Sequence, residues 1–183
     1  DDTRRAAALF QRALRAGLSH QSLLESAVEV FEASGATGAA RSTVDRLLEL
    51  TPDAPKWMTL RARLLVDARD PDGGEALWAA FESGAAAGLA PVLAEWLPHS
   101  DDPELRAVVL DAARAAARDA ERPVALELLA VLTDALFEVD SEACQSVCEA
   151  WHAIDHEALR PRTVLAKLLA ADQPEAAVPH LKA

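Results

Sequence analysis

The chain has 183 residues, 30 of them Asp or Glu against 18 Lys or Arg, for a net charge of −12; this excludes nucleic acid and anionic membrane surfaces as expected ligands, since both are bound through clustered cations. Hydrophobic residues make up 51% of the chain and aromatic ones only 4%, with no Tyr, so Ala and Leu must fill the core, as they do in helix bundles and solenoids. No run of about 18 apolar residues is present to span a bilayer, and the two cysteines, Cys144 and Cys148, are too few and too poorly placed for a disulfide framework, which points to a reducing, cytoplasmic setting.

Apolar residues recur at three and four along nearly the whole chain and β-branched alternation is absent, which predicts an all-α protein. In chain order the predicted helices are 3–16, 21–34, 37–50, 56–68, 73–84, 89–97, 103–119, 123–138, 141–152, 161–171 and 174–182. The breaks carry their own chemistry: SGATG at 34–38, TPDAP at 51–55, DPDGG at 70–74, PHSDDP at 98–103, ERP at 121–123 and DQP at 172–174, with Pro103, Pro123, Pro161 and Pro174 suited to first helical positions, where a missing amide proton costs nothing. The chain starts on Asp and opens at once into a helical pattern, which points to a longer parent chain.

A period of about 34 residues runs through the second helix of each predicted pair. Ala6, Phe10 and Ala13 are followed at that interval by Ala40, Val44 and Leu47; Gly74, Trp78 and Phe81; Val109, Ala113 and Ala116; Ala143, Val147 and Ala150; and, one residue early, Ala176, His180 and Ala183. A fixed period of this size is the mark of stacked helical hairpins, because one hairpin cannot bury its own apolar face. The pattern resembles the tetratricopeptide repeat most closely over QSLLESAVEVFEASGATGAARSTVDRLLELTP, where Leu24, Ala27, Phe31, Gly35, Ala40 and Pro52 stand at its large, apolar, aromatic, turn, small and helix-ending positions. DQPEAAVPHLKA at the C-terminus resembles another second helix. The resemblance implies a single domain over 1–183, an α-solenoid of antiparallel helix pairs in a right-handed superhelix. It would hold about five and a half units, with the unpartnered half at 3–16 and irregular packing across 85–120.

The one stretch dense in chemical groups is CQSVCEAWHAIDH, residues 144–156, which spaces Cys144, Cys148, His152 and His156 by four. Centred on Val147, the apolar face takes in Ala143, Ala150, Trp151, Ile154 and Ala158; Cys144 falls about 60° from its centre, Cys148 about 100°, His152 about 140° and His156 about 180°. Such a stripe spirals from core edge to solvent and extends about 18 Å along the axis, too far for one metal ion, so the thiols are expected to be small packing residues and the site to hold no metal. Asp155 is expected to end the helix before His156. A thiol–imidazole nucleophile lacks an oxyanion donor or a Gly-rich turn beside it. The DPD of 70–72 is expected to be a helix–helix turn, the following DGG lacks the residues of a phosphate loop, and His20, His99 and His180 stand alone. No cofactor and no catalytic set are expected.

Glu25, Glu29 and Glu32 form a row on the polar face of 21–34, opposite Leu24, Ala27 and Phe31. The tetratricopeptide resemblance implies that the first helix of each unit lines a concave groove, so this row is a candidate partner site. The corresponding helices carry Arg61 and Arg63, Glu127 and Asp134, then Arg162 and Lys167. Glu25, Glu29, Glu32, Arg63 and Asp134 are accordingly the candidate partner-binding residues. The expected function is a non-catalytic scaffold for a peptide, helix or subunit, the partner being basic; the alternative is a recognition segment of a larger enzyme or regulator.

Overall fold

In the computed structural model, which describes residues 2–137, 139–172, 177 and 180, the helix ends sit on the punctuation of the sequence. The helices are α1 (Asp2–Arg15), α2 (Gln21–Ser34), α3 (Thr37–Leu50), α4 (Pro55–Asp67), α5 (Gly73–Glu82), α6 (Leu89–Trp96), α7 (Pro103–Asp119), α8 (Arg122–Leu136), α9 (Ser141–Ile154) and α10 (Leu159–Asp172), with a 3-10 turn at Leu97–His99. Among the described residues there is no strand. Helix α2 ends on Gly35 at φ 72°, whose amide donates to the Glu32 carbonyl. That left-handed conformation is the one glycine adopts without steric cost. Asp102 caps α7 by accepting from the amides of Glu104 and Leu105 at 2.9 and 3.1 Å, and Asp140 caps α9 through the Ala143 amide at 2.9 Å; each offsets an amide the helix itself cannot satisfy. The 89–97 helix is shorter than its pattern, stopping at Trp96 before the 3-10 turn, and α10 starts ahead of Pro161. The predicted helix 174–182 lies almost wholly outside the described residues.

Neighbouring helices pack in sequence order, α2 on α3, α4 on α5, α8 on α9 and α9 on α10, giving an all-α helical-repeat fold. The first helices α4, α6 and α8 also pack on one another. The irregular region is explicit: α7 packs on α5 and α8, whereas α6 lies against α4 and α8. Gly74, a small residue of the 34-residue period, makes this possible. A Cβ there would stand 2.7 Å from both Trp96 Cζ2 and Leu105 Cδ2, so α5 approaches the end of α6 and the start of α7 as closely as it does only because a hydrogen replaces a side chain.

The core divides at α4. Its Trp57, Leu60 and Leu64 join Ala7, Leu24, Val28, Phe31, Val44 and Leu47 in one cluster, closed by an edge-to-face contact of Phe10 on Phe31 with ring centroids 6.5 Å apart. Its Ala62, Leu65 and Val66 belong to a second cluster that runs through α5 to α10. One helix thus presents two apolar stripes to two units, as a stacked repeat requires.

Two expectations about facing are corrected. Trp78, placed in the period's core triad, is 42% exposed, while Leu77 and Ala80 are fully buried; α5 is turned toward α7 by the close approach at Gly74. In α9 the buried face is Cys144, Val147, Cys148 and Trp151, with Ala143 and Ala150 at its edges. The face is therefore centred nearer the thiols than Val147 alone suggests, and Cys148 is wholly buried where the helical projection puts it at the margin.

Candidate functional site on the first-helix face

The cysteine and histidine stretch separates into two environments. Both thiols are fully buried against α8. The Cys144 thiol donates to the Thr133 carbonyl at 3.6 Å, and Cys148 Sγ lies 3.9 Å from Thr133 Oγ1. Because the Thr133 hydroxyl donates its proton to the Leu129 carbonyl at 2.7 Å, Cys148 is left as donor in that contact. Burial, with the neighbouring Cys148 adding to it, pushes the Cys144 thiol up to about 12. Burial also raises Cys148. A thiol without water access and without thiolate character packs and does not attack.

His152 is half-buried on α9, and His156 lies past Asp155, which ends the helix; their rings meet edge to face with centroids 5.2 Å apart, and His180 stands 6.5 Å from His152. Among the described residues no group of three or more His, Cys, Asp or Glu side chains is arranged to hold a metal ion. The remaining lone groups have local roles. His20 caps α2, its Nδ1 accepting from the Leu23 amide at 3.3 Å. Asp70 accepts from the Asp72 amide at 3.1 Å and pairs with Arg41 of α3, and the amide first and the guanidinium second hold its carboxyl below the usual range. The DPD stretch is thus a turn anchored to the preceding unit.

Glu32, Arg63 and Asp134 project from first helices, but two ion pairs engage them. Glu32 of α2 binds Arg63 of α4, and Asp134 of α8 binds Arg160 of α10. Both pairs tie one first helix to the next. Glu25 is half-buried and accepts from Gln21 at 2.9 Å, which leaves Glu29 as the exposed carboxylate of that row without such a contact among the described residues. Arg61 pairs with Asp45 of α3 at 3.0 Å. The pairing between these helices is visible only in the fold.

A cleft of about 730 Å³ is lined by the end of α6 and the turn after it, the start of α7, α8 and α10. Leu97, Val131, Phe137 and Val164 supply apolar walls, and Arg106 and Lys167 supply the positive charge. The Arg106 Nε–H is buried and meets no acceptor. Arg106 was not among the residues expected to bind a partner. A signal was present: the residue one turn before it, Asp102, is consumed as the α7 cap, so the expected i,i+4 ion pair has no acid to use. A second cleft of about 560 Å³ lies on the other side of the 97–102 connection and is lined by Asp70, Asp72, Glu75, Glu95, Asp101 and Asp102; the two share Ser100.

No protein-family model matches the chain, and no curated protein is similar to it in sequence.

Proposed function

We propose that this chain is a non-catalytic interaction scaffold of the tetratricopeptide-like kind, which takes a partner protein along the face formed by its first helices. The observation that carries the reading is that a cleft of about 730 Å³ is walled by α8, α10 and the turn between α6 and α7, and combines apolar walls with the cations Arg106 and Lys167, which make no ion pair among the described residues. Partner surfaces of this composition, an apolar centre with a polar rim, are the usual basis of protein recognition. The two thiols, buried and protonated, offer no competing nucleophilic chemistry. At the other end of the same face Glu25 and Glu29 suit a basic element of the partner, which they would steer through the association rate.

The test is affinity capture from the source organism with the wild-type chain beside a Glu29→Lys, Lys167→Glu variant, which keeps the net charge. A partner held by the first and lost by the second is the expected result. A partner held equally by both removes the first-helix face as the binding surface.

A further inference from the structure

We propose that the cleft walled by the start of α7, α8, α10 and the turn after α6 binds an acidic, apolar segment of the partner, a carboxylate held by Arg106 and Lys167 beside a large apolar side chain seated on Leu97, Val131, Phe137 and Val164. The inference rests on the scaffold reading and adds the chemistry of the bound segment.

Arg106 singles out this cleft, because among the described residues its Nε–H is the one guanidinium donor that is buried with no acceptor. Arg41, Arg61, Arg63, Arg114, Arg122 and Arg160 each pair with a carboxylate. Arg106 and Lys167 make no ion pair among the described residues; cations such as Arg46, Arg69 and Arg162 make none either, but they lack the buried, unpartnered Nε–H of Arg106. Among the described residues the one carboxylate in the cleft wall, Asp134, is already bound to Arg160. A guanidinium whose Nε–H has no acceptor is under-satisfied, and an incoming carboxylate at its terminal N–H groups strengthens the charge pairing in the planar geometry that Arg favours. The volume falls within the roughly 300 to 1,000 Å³ of ordinary ligand sites. At the rim Val139 is 69% exposed, a further apolar contact for a side chain entering from solvent.

The acidic cleft across the 97–102 connection sharpens the choice. Its carboxylates repel a polyanion such as nucleic acid or a phospholipid surface, which would cover both clefts at once. A single peptide carboxylate fits in the cationic cleft and is turned away from its neighbour. The face then reverses sign along its length, carboxylates near α2 and cations near α10, so a partner with a basic end and an acidic, apolar end is held in one orientation.

Fluorescence anisotropy with labelled peptides tests the assignment, using cores of Leu-Glu-Phe-Glu-Leu, its Gln isostere Leu-Gln-Phe-Gln-Leu, its polar version Ser-Glu-Ser-Glu-Ser and the reversed charge Leu-Lys-Phe-Lys-Leu. The first should bind at least about tenfold more tightly than each of the others, the scale of a hydrogen bond to a charged group. Arg106→Gln and Lys167→Glu should each remove most of that preference. Lys167 is exposed, so its variant keeps the test sound if Arg106→Gln fails to fold. Equal binding of the acidic peptide and its Gln isostere, or an acidic preference untouched by Lys167→Glu, overturns the proposal. Preferential binding of the Lys peptide would overturn it too, while leaving the scaffold reading in place; that reading is judged separately by the capture assay.

Discussion

Replacing Gly74 by Ala adds one methyl group at the point where α5, α6 and α7 converge. Its Cβ would lie 2.7 Å from Leu105 Cδ2 and from Trp96 Cζ2, with Trp96 Cε2 at 3.1 Å. The leucine methyl can rotate away. The indole carbons cannot, because Trp96 is 9% exposed and its ring is held in the larger core cluster. Overpacking of this kind costs about 1 to 3 kcal/mol, against which the stiffer unfolded chain returns about 0.4 to 1 kcal/mol. The net loss is then up to about 2.6 kcal/mol, or a fall in Tm of up to about 10 °C for a chain of this size. Gly38→Ala is the control: it lies on α3 with nothing within 4 Å of the added atom, so it receives only the gain and should raise Tm by about 1 to 4 °C. Circular dichroism melts of both variants decide the matter. If Gly74→Ala stabilises as much as Gly38→Ala, the close approach that sets the course of α5 and α7 is wrong.

Trp78 and Leu77 test the same helix from its two sides: Leu77→Ala should cost about 2 to 5 kcal/mol in urea titrations and Trp78→Ala far less, the reverse of what the 34-residue period alone implies, and equal losses would restore Trp78 to the core. Because burial lifts the Cys144 pKa from 9.0 to about 12, the unfolded chain ionises this thiol first, so its stabilising contribution is complete below pH 9 and fades toward pH 12 by about 1.4 kcal/mol per unit. Wild type should therefore lose on the order of 2 kcal/mol relative to Cys144→Ala within about 1.5 units above pH 9, and a constant difference would contradict the burial. The Glu32–Arg63 and Asp134–Arg160 pairs, both largely exposed, should give coupling energies of about 0.2 to 1 kcal/mol in double-mutant cycles that vanish near 1 M salt; coupling that persists there would show that these contacts are shielded from solvent.

What the sequence made legible was local. Caps and breaks at Gly35, Asp102, Pro103 and Asp140 act within one turn, so the helix ends follow from neighbouring residues alone. The core positions Leu24, Ala27, Phe31, Ala40 and Val44 follow from periodicity because α2 and α3 pack as a regular hairpin. The reading of α5 failed at Trp78 because its orientation depends on Trp96 and Leu105, residues more than a unit's first helix away, meeting the bare backbone of Gly74. The thiols of α9 were placed too near the surface because α8 lies over them, which a single-helix projection cannot include. Glu32, Arg63 and Asp134 lie on α2, α4 and α8, and a helix-by-helix reading misses that Glu32 with Arg63 and Asp134 with Arg160 pair across helices. Arg106 escaped because nothing near it in sequence reveals that its cleft is walled by α8 and α10.

Hydrogen–deuterium exchange of the chain in complex with the captured, purified partner tests the first-helix face most directly. Exchange should slow on α2, α4, α6, α8, α10 and the start of α7, most around Arg106, Val131 and Val164, with α3, α5 and α9 unchanged. Protection confined to α3, α5 and α9, with the α6, α8 and α10 cleft exchanging as in the free chain, would contradict it.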